Sequence, residues 1–349
     1  MSVTVDSSES SKRSIFVVLG QVVLISVVAM IGWNIAMPGL DPAFMEAQSR
    51  NGLPSQLSIL ALGVGSILTA FALGQIVRLF VPRLENSVAL VVVENILALV
   101  LAVSQASGIA QMVSTMGFLA DASSFGVAVI VASLVGGVAV LLFLSRFVVL
   151  PSLVAGFWIL WLLPALMTLP SQLSSSFEML RVGAVGGSQF LLAIGIIAVA
   201  VGLVVFAIRA VLGNQDKKAA TGSIRWMNVV VWPPLLAATA SSYVLMPLAF
   251  LAPDSLPDAQ WLRVYVFAVT AVLIPVFVFG YRRFFANRGV ILPLTTMLIL
   301  AAVQIVLVVG GAFATEQIML PLPFSGTTLL VLVAVIYALI DALRAPSTH

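Results

Sequence analysis

The chain has 349 residues, of which 61% are apolar and only 8% charged, with 16 Lys and Arg against 13 Asp and Glu. A mean hydropathy of +1.19 excludes a water-soluble domain and a disordered chain, and a net charge of +3 over this length makes no polyanion-binding face. With no cysteine and one histidine, the terminal His349, disulfides, Cys/His zinc sites and an intramembrane histidine base are excluded as well.

A membrane-spanning helix needs about 20 apolar residues, because the hydrocarbon core is roughly 30 Å thick and a helix rises about 1.5 Å per residue. Ten runs meet that length: 15–37, 57–81, 87–104, 124–145, 150–169, 187–209, 228–251, 262–281, 290–312 and 324–343. They are continuously apolar rather than alternating, so they read as helices and not as barrel strands. The first is too long for a signal-peptide core and reads as a retained helix. The expectation is an all-α polytopic membrane protein with ten transmembrane helices. If residues 1–14 form a cytoplasmic tail and the spans alternate, thirteen of the sixteen cations fall on the cytoplasmic side and only Arg50, Arg181 and Arg263 outside. That positive-inside bias places both termini in the cytoplasm, and the expected location is the cell's inner (plasma) membrane. Loops are short; the longest inner one, 211–227, divides the chain after the sixth span.

Reactive groups are scarce within the spans. Glu94, in Val91-Val92-Val93-Glu94-Asn95, is the acidic residue lying well inside one. Charge at membrane depth is expensive, so Glu94 reads either as a partnered structural group or as part of a transport or gating device. No P-loop, zinc-binding helix motif, nucleophile elbow or intramembrane aspartate pair is present. The chain therefore reads as not an enzyme, with no cofactor and no metal. Gly63, Gly65, Gly136, Gly137, Pro164, Pro233, Pro234, Pro247 and Pro275 interrupt apolar runs. They allow either close packing of a helix bundle or broken, hinged helices around a pathway.

Several segments, in order, resemble the SecY family, the central channel subunit of the Sec protein translocase. Met37-Pro38-Gly39-Leu40-Asp41-Pro42 is similar to the family's exit from span one into the plug. Ser58-Ile59-Leu60-Ala61-Leu62-Gly63-Val64 followed by Gln75 resembles S-I-F-A-L-G-I and its glutamine, and Gln105-Ala106-Ser107-Gly108-Ile109-Ala110 resembles Q-x-x-G-I-A. Span seven has Asn228, Pro233-Pro234, Ala240-Ser241-Ser242 and Pro247 in family order, with two extra residues between the second and third elements. Span ten opens with Phe324-Ser325-Gly326-Thr327-Thr328-Leu329-Leu330, similar to F-G-G-T-S-L-L.

The resemblance implies two inverted, pseudo-symmetric five-helix halves around a central pore, residues 15–170 and 171–349, with a lateral gate between spans two and three and spans seven and eight. It implies a pore ring of Val64, Leu68, Leu236 and Val331, a plug-like segment at 42–50 with Phe44 and Met45 as its apolar part, and gate polar groups at Gln75, Gln105 and Asn228. Those polar groups read equally as interhelical glue, and 42–50 equally as an outer loop. SecE-like and SecG-like membrane subunits and unfolded polypeptides are the implied partners; the lipid bilayer surrounds the chain and nucleic acid has no place. The departures fall on the cytoplasmic side. The family's W-L-G-E-Q-I-T is replaced by Phe143-Leu144-Ser145-Arg146-Phe147-Val148-Val149, and the long loop that engages SecA or the ribosome shrinks to a basic loop with Arg282, Arg283 and Arg288. The expectation is a shortened, specialised channel or insertase with altered motor coupling. The alternatives are an inverted-repeat solute transporter and a non-conducting scaffold.

Overall fold

A computed structural model describes residues 15–42, 46, 57–84, 87–121, 123–147, 153, 156–213, 226–251, 258–317 and 325–344. Among these, ten helical rods follow one another: α1 (Ile15–Asn34), α2 (Gly65–Phe80), α3 (Val88–Thr115), α4 (Ser124–Leu144), α5 (Phe157–Arg181), α6 (Gly187–Leu212), α7 (Met227–Leu251), α8 (Ala259–Ala286), α9 and α10 (Gly326–Arg344). The rod α9 has three consecutive parts, an α-helix Leu294–Ile305, a π-helical turn Val306–Gly310 and an α-helix Gly311–Gln317. No β-strand occurs among the described residues beyond two isolated bridges. Among the described residues six helices are long and apolar enough to cross a membrane, and shorter apolar stretches lie in α1, α2 and α10. Large side chains such as Leu19, Val88, Leu191 and Val272 stand exposed on the outer faces, as expected where lipid rather than water is the solvent. The protein is a multi-pass membrane protein.

Four segments differ from the expected borders. The run 57–81 is not one helix: residues 57–64 form irregular turns, Gly63 takes a left-handed φ of +54°, and α2 starts only at Gly65. That conformation is open to glycine without the Cβ clash other residues meet. The freed backbone finds partners elsewhere: Ile59 N donates to Ile35 O at 3.0 Å, Met37 N to Leu57 O at 2.9 Å, and Trp33 Nε1 to Leu60 O at 3.1 Å. Second, α3 runs to Thr115, well past the expected end at 104, so Gln105 to Ala110 is helix and not loop. Third, α5 begins at Phe157 and continues through Pro164 and Pro170 to Arg181. Thr168 Oγ1 donates back to the carbonyls of Pro164 and Ala165 at 3.1 and 3.2 Å, so a side chain works beside the gaps the prolines leave in the ladder. Fourth, α8 extends to Ala286, which puts Arg282 and Arg283 on its last turn rather than in a loop.

The packing uses glycine where backbones meet. On α1, a Cβ at Gly32 would lie 2.4 Å from Leu60 Cδ1; on α4, one at Gly137 would lie 2.2 Å from the carbonyl of Ile59. The broken segment before α2 is thus wedged between α1 and α4. Likewise a Cβ at Gly326 would lie 1.7 Å from Leu307 O, so the start of α10 seats directly on the π-helical turn of α9. Antiparallel neighbours α2–α3, α3–α4 and α7–α8 pack along their lengths. The first five helices meet the last five where α2 rests on α7 and α8 and where α5 rests on α10. One apolar core runs through nearly all of these elements.

Gly326→Ala is expected to lower the thermal midpoint in detergent by an amount equivalent to about 1–3 kcal/mol of overpacking. Gly195→Ala on α6, where a Cβ meets nothing within 4 Å, is expected to leave the midpoint unchanged. Equal midpoints for the two variants would show that the α9–α10 contact is not as close as described.

Candidate functional site: the apolar waist and the gate helices

The break before α2 creates the first part of the site. Val64 caps the helix at the break, and Leu68 follows one turn later, its N–H donating to Val64 O at 2.8 Å. The two side chains therefore share a face. Val64 is buried and Leu68 half-buried against the central core. Leu236, two residues beyond Pro234 on α7, and Val331, on α10, are both 0% exposed. All four belong to the central apolar core that runs through nearly all the helices; they come from α2, α7 and α10, and α7 touches both of the others. Side chains of this kind exclude water and ions, and they offer no fixed hydrogen-bond partner.

An aromatic chain that the sequence reading missed crosses the same core. Phe71 on α2 packs edge-on against Phe157 of α5 at 5.5 Å; Phe157 meets Trp158 at 5.1 Å; Trp158 meets Trp232 of α7 at 5.1 Å. Phe157 and Trp158 are 1% exposed. This bridge ties the first five helices to the last five. No sequence motif marks it, since its members come from three separate helices.

The three polar residues expected at a gate are dispersed. Gln75 is half-buried on α2, Gln105 is exposed on α3, and Asn228 is half-buried on α7 with its Oδ1 lacking a partner. No hydrogen bond among the described residues joins the three. Polar pairing between helices runs through other groups. Thr270 Oγ1 of α8 donates to Ser241 Oγ of α7 at 3.3 Å, and Gln304 of α9, fully buried, donates from Nε2 to the carbonyls of Val229 and Val230 at 3.1 and 2.8 Å.

Glu94 is 5% exposed and tied to Arg78. Arg78 Nη2 donates to Oε2 at 2.8 Å, while Nη1 lies 2.6 Å from Oε1 as a charge contact without hydrogen-bond alignment. The pair pins the last turn of α2 to the second turn of α3. Gly74 makes the room: a Cβ there would lie 1.6 Å from Glu94 Oε1. Glu94 is thus a partnered group, and its partner is Arg78.

At the end of α8, Gly289 turns the chain with φ +78°, Arg282 Nε donates to Leu292 O at 3.2 Å, and Arg288 lies 4.4 Å above the Phe284 ring. Partial burial lowers the pKa of the Arg288 guanidinium from its usual value. Two of the three basic residues thus brace the turn, and Arg283 is exposed. Phe44 and Met45 lie outside the described residues. Among the described residues no group of His, Cys, Asp or Glu could hold a metal ion.

No family model and no curated protein matches the sequence. Solved structures do match in fold. A SecY structure, described as showing that its plug domain stabilises the closed translocation channel and maintains a membrane seal, superposes with a TM-score of 0.59 at 13% identity, covering 95% of this chain and 94% of that one. Sec61 from the canine ribosome–channel complex of the endoplasmic reticulum gives 0.61 at 14% identity with the same coverage. A third structure, described as a protein-conducting channel, gives 0.59 at 13% identity, also over 95% and 94%. The fold is that of the SecY and Sec61 channels.

Breaking the Arg78–Glu94 pair leaves one charge uncompensated at depth, which typically destabilises by about 3–5 kcal/mol, less where a long side chain can reach the interface. Glu94→Ala is therefore expected to lower the thermal midpoint sharply, and the double variant Arg78→Met, Glu94→Leu to recover most of the loss. A midpoint in the double variant as low as in the single one would contradict this account.

Proposed function

We propose that this protein is a SecY-like protein-conducting channel or insertase, held here in its closed conformation. Its ten helices cross the membrane as two five-helix halves, α1–α5 and α6–α10, with both termini in the cytoplasm. The single observation that carries the reading is a fold shared over 95% of the chain with SecY, in whose common apolar core Val64, Leu68, Leu236 and Val331 from α2, α7 and α10 are packed. Parting α2 and α3 from α7 and α8 would open a path through this waist and, sideways, to lipid. An unfolded polypeptide of any sequence could pass, because apolar walls bind no particular side chain. Residues 42–50 are the proposed plug, Gln75, Gln105 and Asn228 the polar lining of the gate. A SecE-like clamp helix, with or without a SecG-like subunit, is the proposed partner. The short, self-braced turn after α8 supports a motor coupling different from that of SecA or the ribosome.

One observation favours a non-conducting scaffold as the second reading: the waist is closed to solvent, with Leu236 and Val331 at 0% exposure, and the aromatic bridge closes over the same core. The solute-transporter reading loses its main support, since the carboxylate of Glu94 is engaged by Arg78.

Conductance of the reconstituted chain in planar bilayers separates the readings. Val331→Ser removes roughly 1.5 kcal/mol of apolar burial, so the open fraction of a two-state gate is expected to rise on the order of tenfold. Deleting residues 42–50 is expected to add a further leak. A membrane that stays sealed with both changes present would sink the channel reading in favour of the scaffold.

A further inference from the structure

Proline at 233 and 234 removes the backbone N–H groups that would bond the carbonyls four residues earlier, those of Val229 and Val230. These are the two carbonyls to which Gln304 Nε2 donates, at 3.1 and 2.8 Å, from a different helix seventy-odd residues away in sequence. One amide thus replaces both missing donors. Its other end is unspent: Gln304 Oε1 is buried without a partner, as are Asn228 Oδ1 and Trp232 Nε1, which stand one turn apart on α7 beside the same carbonyls. Buried polar atoms left unpaired disfavour the conformation that leaves them so. The π-helical turn of α9 begins two residues after Gln304; single π turns often mark functional sites.

We propose that Gln304 is a positioning residue for gating, a latch on α9 that fixes the proline hinge of α7 in its closed setting. The inference rests on the channel reading above and adds the element that sets its resting state. When the amide is engaged, the two orphaned carbonyls are satisfied and α7 lies against α2. When it releases, those carbonyls need water or a new donor, and the arm of α7 beyond Pro234 is free to swing.

Because the chain has no cysteine, spin labels on introduced cysteines at Met112 of α3 and Ser242 of α7, both exposed, report one distance by pulsed electron resonance. An arm of about 12 Å swinging by about 20° moves its tip by roughly 4 Å. Gln304→Leu is expected to shift and broaden the distance by that amount. Gln304→Glu keeps the shape with at most one donor and is expected to give a smaller shift in the same direction. In a P233A/P234A background, where helical N–H groups serve Val229 and Val230, Gln304→Leu is expected to produce no shift. An unchanged distance in both single variants, or an equal shift in the two backgrounds, overturns the latch. Conductance of the same proteins separates the two levels: a distance shift with no new current upholds the latch and sinks the channel reading. New current with no distance shift sinks the latch alone.

Discussion

The lack of water in the bilayer interior governs this protein. Every backbone N–H and carbonyl at membrane depth must find a partner within the chain, yet a channel-like fold needs helices that break. At two places where the backbone ladder is incomplete the molecule supplies a donor from another helix. Trp33 Nε1 reaches Leu60 O at the interruption before α2, and Gln304 Nε2 reaches Val229 O and Val230 O below the paired prolines of α7. Glycine supplies the complementary device, letting Ile59 and Leu307 carbonyls approach α4 and α10 at distances no Cβ would tolerate.

The interruption before α2 lies within the first group of five helices, between α1 and α4, and the carbonyls below the α7 prolines are served by α9 within the second. The break before α2 sets Val64 and Leu68 one turn apart on a shared face, and the hinge of α7 places Leu236 just beyond Pro234. Val331 arrives from α10, which also touches α5 and α7. The four side chains are apolar and offer a solute no hydrogen bond, so their physical competence is exclusion. Phe71, Phe157, Trp158 and Trp232 extend that exclusion across the contact between the groups. Aromatic edge-to-face contacts are each modest, roughly 0.5–1.5 kcal/mol beyond their burial, which suits an interface proposed to part and re-form.

Charge is placed with equal economy. The buried Arg78–Glu94 pair joins α2 to α3, so these two helices are tied to each other rather than to α7 or α8. In the proposed mechanism α2 and α3 then move as one body, while Thr270 and Ser241 tie α8 to α7 on the other side. The side chains described at the contact between the pairs are largely apolar and aromatic, Phe71, Phe157, Trp158 and Trp232 among them.

The sequence by itself determined the membrane class, the all-helical character and the interruption at Gly63. Length of apolar run, proline and glycine act locally, and locality is what a linear reading captures. Gly63 marked a real break because a left-handed backbone needs no tertiary help to be recognised. Proline was a weaker guide: Pro170 reads as the end of a span, yet α5 continues through it. Only the tertiary structure decided which charge answers Glu94, that Arg282 and Arg288 brace their own turn, and that Gln304, unremarkable in its sequence context, serves α7. Those pairings depend on which helix faces which across long stretches of chain, and the apolar faces that set the packing are too alike in sequence to specify it.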